Sequence, residues 1–140
     1  MMNIHTTCIS LNGRGILLMG APGAGKSDLA LRLIRHCGAV LVADDRTDIE
    51  FAEDGIWASC PKSISGKLEV RGVGICNFPF ASKAKVSLVV EWAKTPSEVE
   101  RLPEADFYDL GGHQLPLLKL YPFEASAIDK IVIKAESLLD

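Results

Sequence analysis

Eight consecutive residues, Gly20-Ala21-Pro22-Gly23-Ala24-Gly25-Lys26-Ser27, match the pattern G-x-x-x-x-G-K-[ST] in full, and no other feature narrows the fold of this chain as much. The pattern works as a turn between a strand and a helix. Its glycines let the backbone bend tightly, so that successive N–H groups can face phosphate oxygens. A helix opening at Lys26 adds the positive end of its dipole. Lys26 is then expected to reach the terminal phosphates of a nucleotide, and the Ser27 hydroxyl to help hold Mg²⁺. A plain glycine-containing turn is the blander reading, and the flanking sequence argues against it. Gly15-Ile16-Leu17-Leu18-Met19 reads as a buried strand before the loop. Leu29, Ala30, Leu33, Ile34 and Cys37 share one face of a helix over 26–37, with Gly38 at its stop.

The rest of the pattern is that of one α/β domain spanning 1–140. Residues 4–10 read as a strand turning at Asn12-Gly13 into the strand before the loop. Residues 39–43 form a second buried run. Residues 47–52 and 56–60 suggest a hairpin, and 85–92 and 114–121 two further strands, while 68–80 is glycine-punctuated and gives no clear signal. Residues 93–103, with two prolines, read as a surface loop. Ser126-x-x-Asp129 looks like a capping box for a last helix carrying Ile128, Ile131, Val132, Ala135, Leu138 and Leu139 at helical spacing.

The second buried run ends in two carboxylates, Asp44 and Asp45, eighteen residues past the lysine. In a parallel α/β arrangement they fall on the same sheet edge as the phosphate-binding loop. A carboxylate there can hold Mg²⁺, or accept the proton of an attacking hydroxyl. Two adjacent acids can divide these tasks.

Composition removes several alternatives. Fifteen basic and eighteen acidic residues give a net charge of −3 with no basic block, which argues against nucleic acid as the main partner. Cys8, Cys37, Cys60 and Cys76 form no C-x-x-C pair, and the three histidines do not cluster with them, so free thiols are expected and a structural zinc site is not. The N-terminal residues lack the charged and apolar regions of a secretory signal, and no apolar run approaches membrane-spanning length; a cytoplasmic protein is expected.

One more segment, Leu68-Glu69-Val70-Arg71-Gly72-Val73-Gly74-Ile75, completes a pattern. Phosphate-binding loop, acidic pair and this L-E-V-R-G-x-G stretch occur in the order and spacing of HPr kinase/phosphorylase, a bacterial enzyme that phosphorylates a serine of the phosphocarrier protein HPr. The resemblance runs from about His5 to Ile133. It implies an α/β phosphate-loop kinase domain with a nucleotide-binding core like that of PEP carboxykinase, a mixed sheet and flanking helices. It implies ATP and Mg²⁺ as cofactors, an HPr-like phosphocarrier as substrate, and homo-oligomeric assembly. Residue by residue, Gly20 to Ser27 would bind the nucleotide phosphates, and Ser27 with Glu69 would ligate Mg²⁺. Asp44 resembles the acid that takes the serine proton, with Asp45 as its fallback. His5 matches an active-site histidine, Arg101 an arginine near the reacting phosphate, and Arg71 a phosphate contact. On their own, Glu69, Arg71 and Arg101 would read as solvated charges and His5 as a strand histidine.

The chain also departs from that family. It begins directly at the catalytic part, where the family has a further N-terminal domain, and it stops at Asp140, where longer members continue. Its 78–85 segment is shorter. Where the family has an arginine- and glycine-containing segment tied to dephosphorylation, this chain has Tyr121-Pro122-Phe123-Glu124-Ala125-Ser126-Ala127. Phosphorylase activity is therefore not expected to match the kinase activity. Two other functions compete. A small-molecule kinase would carry an arginine-rich lid, yet Arg14, Arg32, Arg35, Arg46, Arg71 and Arg101 are scattered. A non-catalytic nucleotide sensor would have little use for Lys26, Ser27, Asp44 and Glu69 together.

Overall fold

The structure, a computed structural model describing residues 1–138, opens with a break where one strand is predicted. Residues 4–10 divide into β1 (Met2–Ile4) and β2 (Thr7–Leu11). The two halves have different partners. β1 pairs with β5 (Thr47–Ala52), whereas β2 lies between β3 (Arg14–Met19) and β4 (Val40–Ala43), antiparallel to both. A single straight strand cannot serve both, so the chain bends at His5 and Thr6. Between β2 and β3, Asn12 (φ 52°) and Gly13 (φ 80°) are both left-handed, as a two-residue hairpin matching the strand twist requires.

β6 (Gly55–Ser59) completes the expected hairpin with β5. The long strand β9 (Lys83–Trp92) is the organising element. Along one edge it runs parallel to β3. Its other edge is shared: the first residues pair antiparallel with β6, and the last four pair parallel with β11 (His113–Leu120). The sheet is therefore mixed, in the order β1-β5-β6-β9-β3-β2-β4 with β11 branching beside β9. β10 (Phe107–Leu110), which no sequence signal marks, pairs with β11 across Gly111-Gly112. The unclear stretch 68–80 holds β7 (Lys67–Val70) and β8 (Gly74–Asn77), a separate two-stranded hairpin.

The two faces of the sheet bury different sets. One set, with Ile9, Ile16, Leu18, Leu88 and Val90, is covered by both helices, α1 (Lys26–Cys37) and α2 (Ala127–Ser137). Leu29 and Leu33 of α1 are fully buried there, each worth about 1.5–3 kcal/mol. On the other face Leu17, Val42, Ile49, Val89, Leu110 and Leu115 pack together as the sheet curls over itself. α1 ends at Gly38 as expected. The capping box before α2 is not formed: Ser126 makes no side-chain cap bond. The expected helical pattern reaches Leu139, which lies outside the described residues. All four cysteines are free, and Cys8 is buried, which pushes its thiol up to about 12. Among the described residues no helix is long and apolar enough to cross a membrane.

Candidate active site

The loop over 20–25 leaves the end of β3 and turns into α1. Gly23 (φ 76°) and Gly25 (φ 96°) adopt left-handed conformations that a side chain would strain, and the Ala24 N–H donates to the Ala21 carbonyl at 3.1 Å. The first N–H groups of α1 have no partner within the helix, so the loop and the helix start together form a seat for an anion.

Because β9 runs parallel to β3, its last residue arrives under this loop. Trp92 donates its indole N–H to the Ala24 carbonyl at 2.7 Å. Its ring fills the space a side chain on Gly20 would need: an added Cβ would meet Trp92 Cγ at 2.9 Å. Gly20→Ala is therefore expected to displace Trp92 and release its hydrogen bond, at a cost of about 1–3 kcal/mol. Urea denaturation checks this, and an unchanged midpoint would mean that Trp92 does not brace the loop.

Lys26 is only 5% exposed, and its Nζ donates to the Gly20 carbonyl at 2.9 Å. Burial lowers its pKa below the usual lysine range, and the charges of Asp45 and then Asp44 act in the opposite direction. The ammonium is thus held along the loop with little water, close to where phosphate charge would sit.

β3 and β4 are each antiparallel to β2, hence parallel to one another, and end on the same sheet edge. That brings the acidic pair to the loop, and the two acids sit differently. Asp44 is buried. Its Oδ1 accepts from the Ser27 hydroxyl at 2.6 Å and the Thr7 hydroxyl at 3.2 Å, and its Oδ2 from the Glu69 N–H at 3.3 Å. Asp45 takes φ 68°, a conformation aspartate adopts more readily than most residues, and leaves the line of the strand. Its side chain is 62% exposed, and Oδ1 lies 3.0 Å from His5 Nε2. The bend between β1 and β2 is what places His5 there. Thr7 links the acids, donating to Asp44 while accepting from the Asp45 N–H at 3.2 Å.

Part of this assembly borders a cleft of about 520 Å³, within the ordinary range for a small-molecule site, while Asp44, His5, Thr7 and Trp92 are not among its lining residues. Pro22, Gly23, Gly25, Lys26 and Ser27 line it, together with Asp45, Glu69 and Arg71. Gly20, Ala21 and Ala24 shape the loop from behind. Arg101 is not brought here. It borders a second cleft of about 900 Å³ between the 98–106 segment and α2, near Lys130 and Lys134. Several residues at the site escaped the sequence reading, among them Thr7, Trp92 and Phe123. Only Trp92 had a signal, since a tryptophan ending a buried strand needs a partner for its N–H.

The oxygens of Ser27, Asp44, Asp45 and Glu69 are hard donors suited to Mg²⁺. Among the described residues no three His, Cys, Asp or Glu side chains converge into a ready cage. Asp44, by accepting the Ser27 hydrogen, leaves the lone pairs of that hydroxyl for a cation.

Known proteins resemble this chain in sequence and in fold. The HPr kinase/phosphorylase of Cupriavidus necator is 34% identical over 129 residues, which is 85% of this chain and 40% of that protein. That of Clostridium acetobutylicum is 46% identical over 76 residues, 54% of this chain and 25% of that protein. The chain thus spans about 40% of the length of the first of these relatives. The solved structure of the Hpr(Ser) kinase/phosphatase from Coxiella burnetii matches with a TM-score of 0.84 at 22% identity, covering 99% of this chain and 97% of the other, a likeness of fold. A family model described as the HPr Serine kinase C-terminal domain matches residues 1–135, and the chain belongs to that family.

Proposed function

We propose that residues 1–140 are the catalytic domain of a cytoplasmic, ATP- and Mg²⁺-dependent serine kinase, which phosphorylates an HPr-like phosphocarrier protein and so regulates carbohydrate metabolism. The observation that carries this reading is the meeting, in one cleft, of a phosphate-binding loop with an exposed carboxylate paired to an imidazole.

The residues divide the work as follows. The loop amides and the start of α1 bind the β- and γ-phosphates. Lys26 exchanges its Gly20 carbonyl partner for a γ-phosphate oxygen and neutralises charge as it develops. Ser27 and Glu69 would hold Mg²⁺, which when bound would supply further charge neutralisation. The acceptor serine oxygen attacks the γ-phosphorus, the bond to the β-phosphate oxygen breaks, and ADP leaves. The serine proton passes to Asp45, with His5 alongside to orient the carboxylate and share the proton. This assigns the base to Asp45 rather than Asp44, because Asp44 already accepts three hydrogen bonds and is shielded from an incoming substrate.

The same reading makes the protein a kinase that is poor at phosphorolysis. Phosphorolysis needs a second anion beside the phosphoserine, held by an arginine fork or a backbone nest rich in glycine. The 121–126 segment offers a phenyl ring and a glutamate, the latter paired with Lys130. Incubation with labelled ATP and an HPr-type protein should give phosphoserine on the carrier. Mixing phosphoserine carrier with millimolar phosphate should release pyrophosphate far more slowly. ATP turnover without label on the carrier would sink the substrate assignment, and comparable forward and reverse rates would sink the directional one.

A further inference from the structure

The cleft has polar groups for the charged parts of a nucleotide and its acceptor, and among its apolar lining residues one large side chain is exposed. Phe123 is 65% exposed, yet it lines the cleft, with its ring edge 3.3 Å from where a Cβ on Gly25 would be. We propose that Phe123 is the platform on which the nucleobase stacks. The inference rests on the nucleotide reading above and adds the residue that would distinguish ATP from a bare polyphosphate.

The ring is exposed but anchored. β11 ends at Leu120, and the carbonyl of Pro122 accepts from Arg32 Nη2 at 3.0 Å. Arg32 is in turn paired with Asp28 one turn earlier on α1, at 3.3 Å. The Tyr121 ring meets the Phe123 ring edge-on, with centroids 5.7 Å apart and planes at 81°. The Glu124–Lys130 ion pair ties the far side of the segment to α2. A phenyl ring open to water in the lining of a cleft, on a backbone held from both sides, is placed to meet a ligand there.

The remaining groups of the cleft indicate which ligand part it meets. Loop amides and Lys26 suit the phosphates, Ser27 and Glu69 the cation, and Asp45 with His5 the acceptor hydroxyl. The other apolar lining residues, Leu31, Val70 and Pro22, border the same cleft as Phe123. A nucleotide has one planar group to offer such a surface, its base. Stacking on a phenyl ring reads the π-face and not the hydrogen-bonding edge, so it tolerates adenine and guanine alike.

Calorimetric titration with MgATP, MgGTP and magnesium tripolyphosphate tests this. Phe123→Ala is expected to weaken both nucleotides by roughly tenfold or more and to leave tripolyphosphate within about twofold. Phe123→Trp should retain ATP affinity. Should alanine lower the folded fraction, Phe123→Leu keeps the contact with Gly25 and should show the same selective loss. An equal loss for all three ligands would mean that the ring only shapes the loop, and unchanged ATP binding would mean that the base lies elsewhere; either overturns the inference. A parent chain that binds neither ATP nor tripolyphosphate overturns the nucleotide reading with it. Selective loss of ATP in a protein that transfers no phosphate to an HPr-type carrier would support the platform and overturn only the acceptor assignment.

Discussion

Replacing Lys26 by alanine is expected to reduce phosphoryl transfer by at least about 10²-fold while the protein stays folded. The size of the effect follows from where the ammonium sits. It is buried along the loop, in surroundings that already oppose its charge, so it is poorly screened by water and acts strongly on a neighbouring phosphate. On the proposed mechanism, its loss leaves the charge developing on the transferred group without that cation. Folding should survive because the one bond that Lys26 makes, to the Gly20 carbonyl, is not part of either apolar cluster. Single-turnover transfer from labelled ATP, with circular dichroism as the folding control, measures both quantities. Near-native turnover in this variant would show that the loop is not the site of chemistry.

Asp45→Asn should remove about 10²–10⁴-fold of serine phosphorylation and leave MgATP affinity nearly unchanged, since an amide cannot accept the hydroxyl proton. Asp44→Asn should behave in the opposite way. The amide nitrogen cannot accept one of the hydrogen bonds that Asp44 now receives, so Ser27 loses its orientation and the Mg²⁺ requirement rises. Affinity by calorimetry and transfer by phosphate labelling separate the two effects. If Asp44→Asn is dead with normal nucleotide binding while Asp45→Asn is active, the base is Asp44, as the resemblance alone suggests. The distinction between the two acids rests on three hydrogen bonds and one backbone dihedral, none of which the sequence displays.

Local chemistry explains what was legible beforehand. Gly20 to Ser27 specify a strand, a tight loop and a helix because only glycine tolerates those dihedrals and only a helix start completes the anion seat. The apolar run before Asp44 and Asp45 marks a buried strand whose end must be polar, and α1 shows its buried face through the spacing of Leu29, Ala30 and Leu33. The mixed α/β fold and the nearness of loop and acids follow from such signals. The L-E-V-R-G-x-G stretch offered a resemblance but no shape, since its two short strands pair only with each other and have little burial to reveal them.

What only the tertiary structure decided concerns groups far apart in the chain. His5 comes to Asp45 because β1 and β2 choose different partners across the sheet, and the bend between them is a consequence of pairing, invisible in residues 4–10 alone. Thr7, Trp92 and Phe123 reach the loop from three other strands or segments, brought there by register and strand direction. Arg101 moves the other way: a residue that resemblance assigns to the reacting phosphate lies at a different cleft, because the 98–106 segment packs beside α2. Sequence determines which short stretches can hold a phosphate or bury a face, since those depend on dihedrals and periodicity over a few residues. Which carboxylate is shielded, and which faces the cleft, depends on contacts across tens of residues, and these exist only once the sheet has closed.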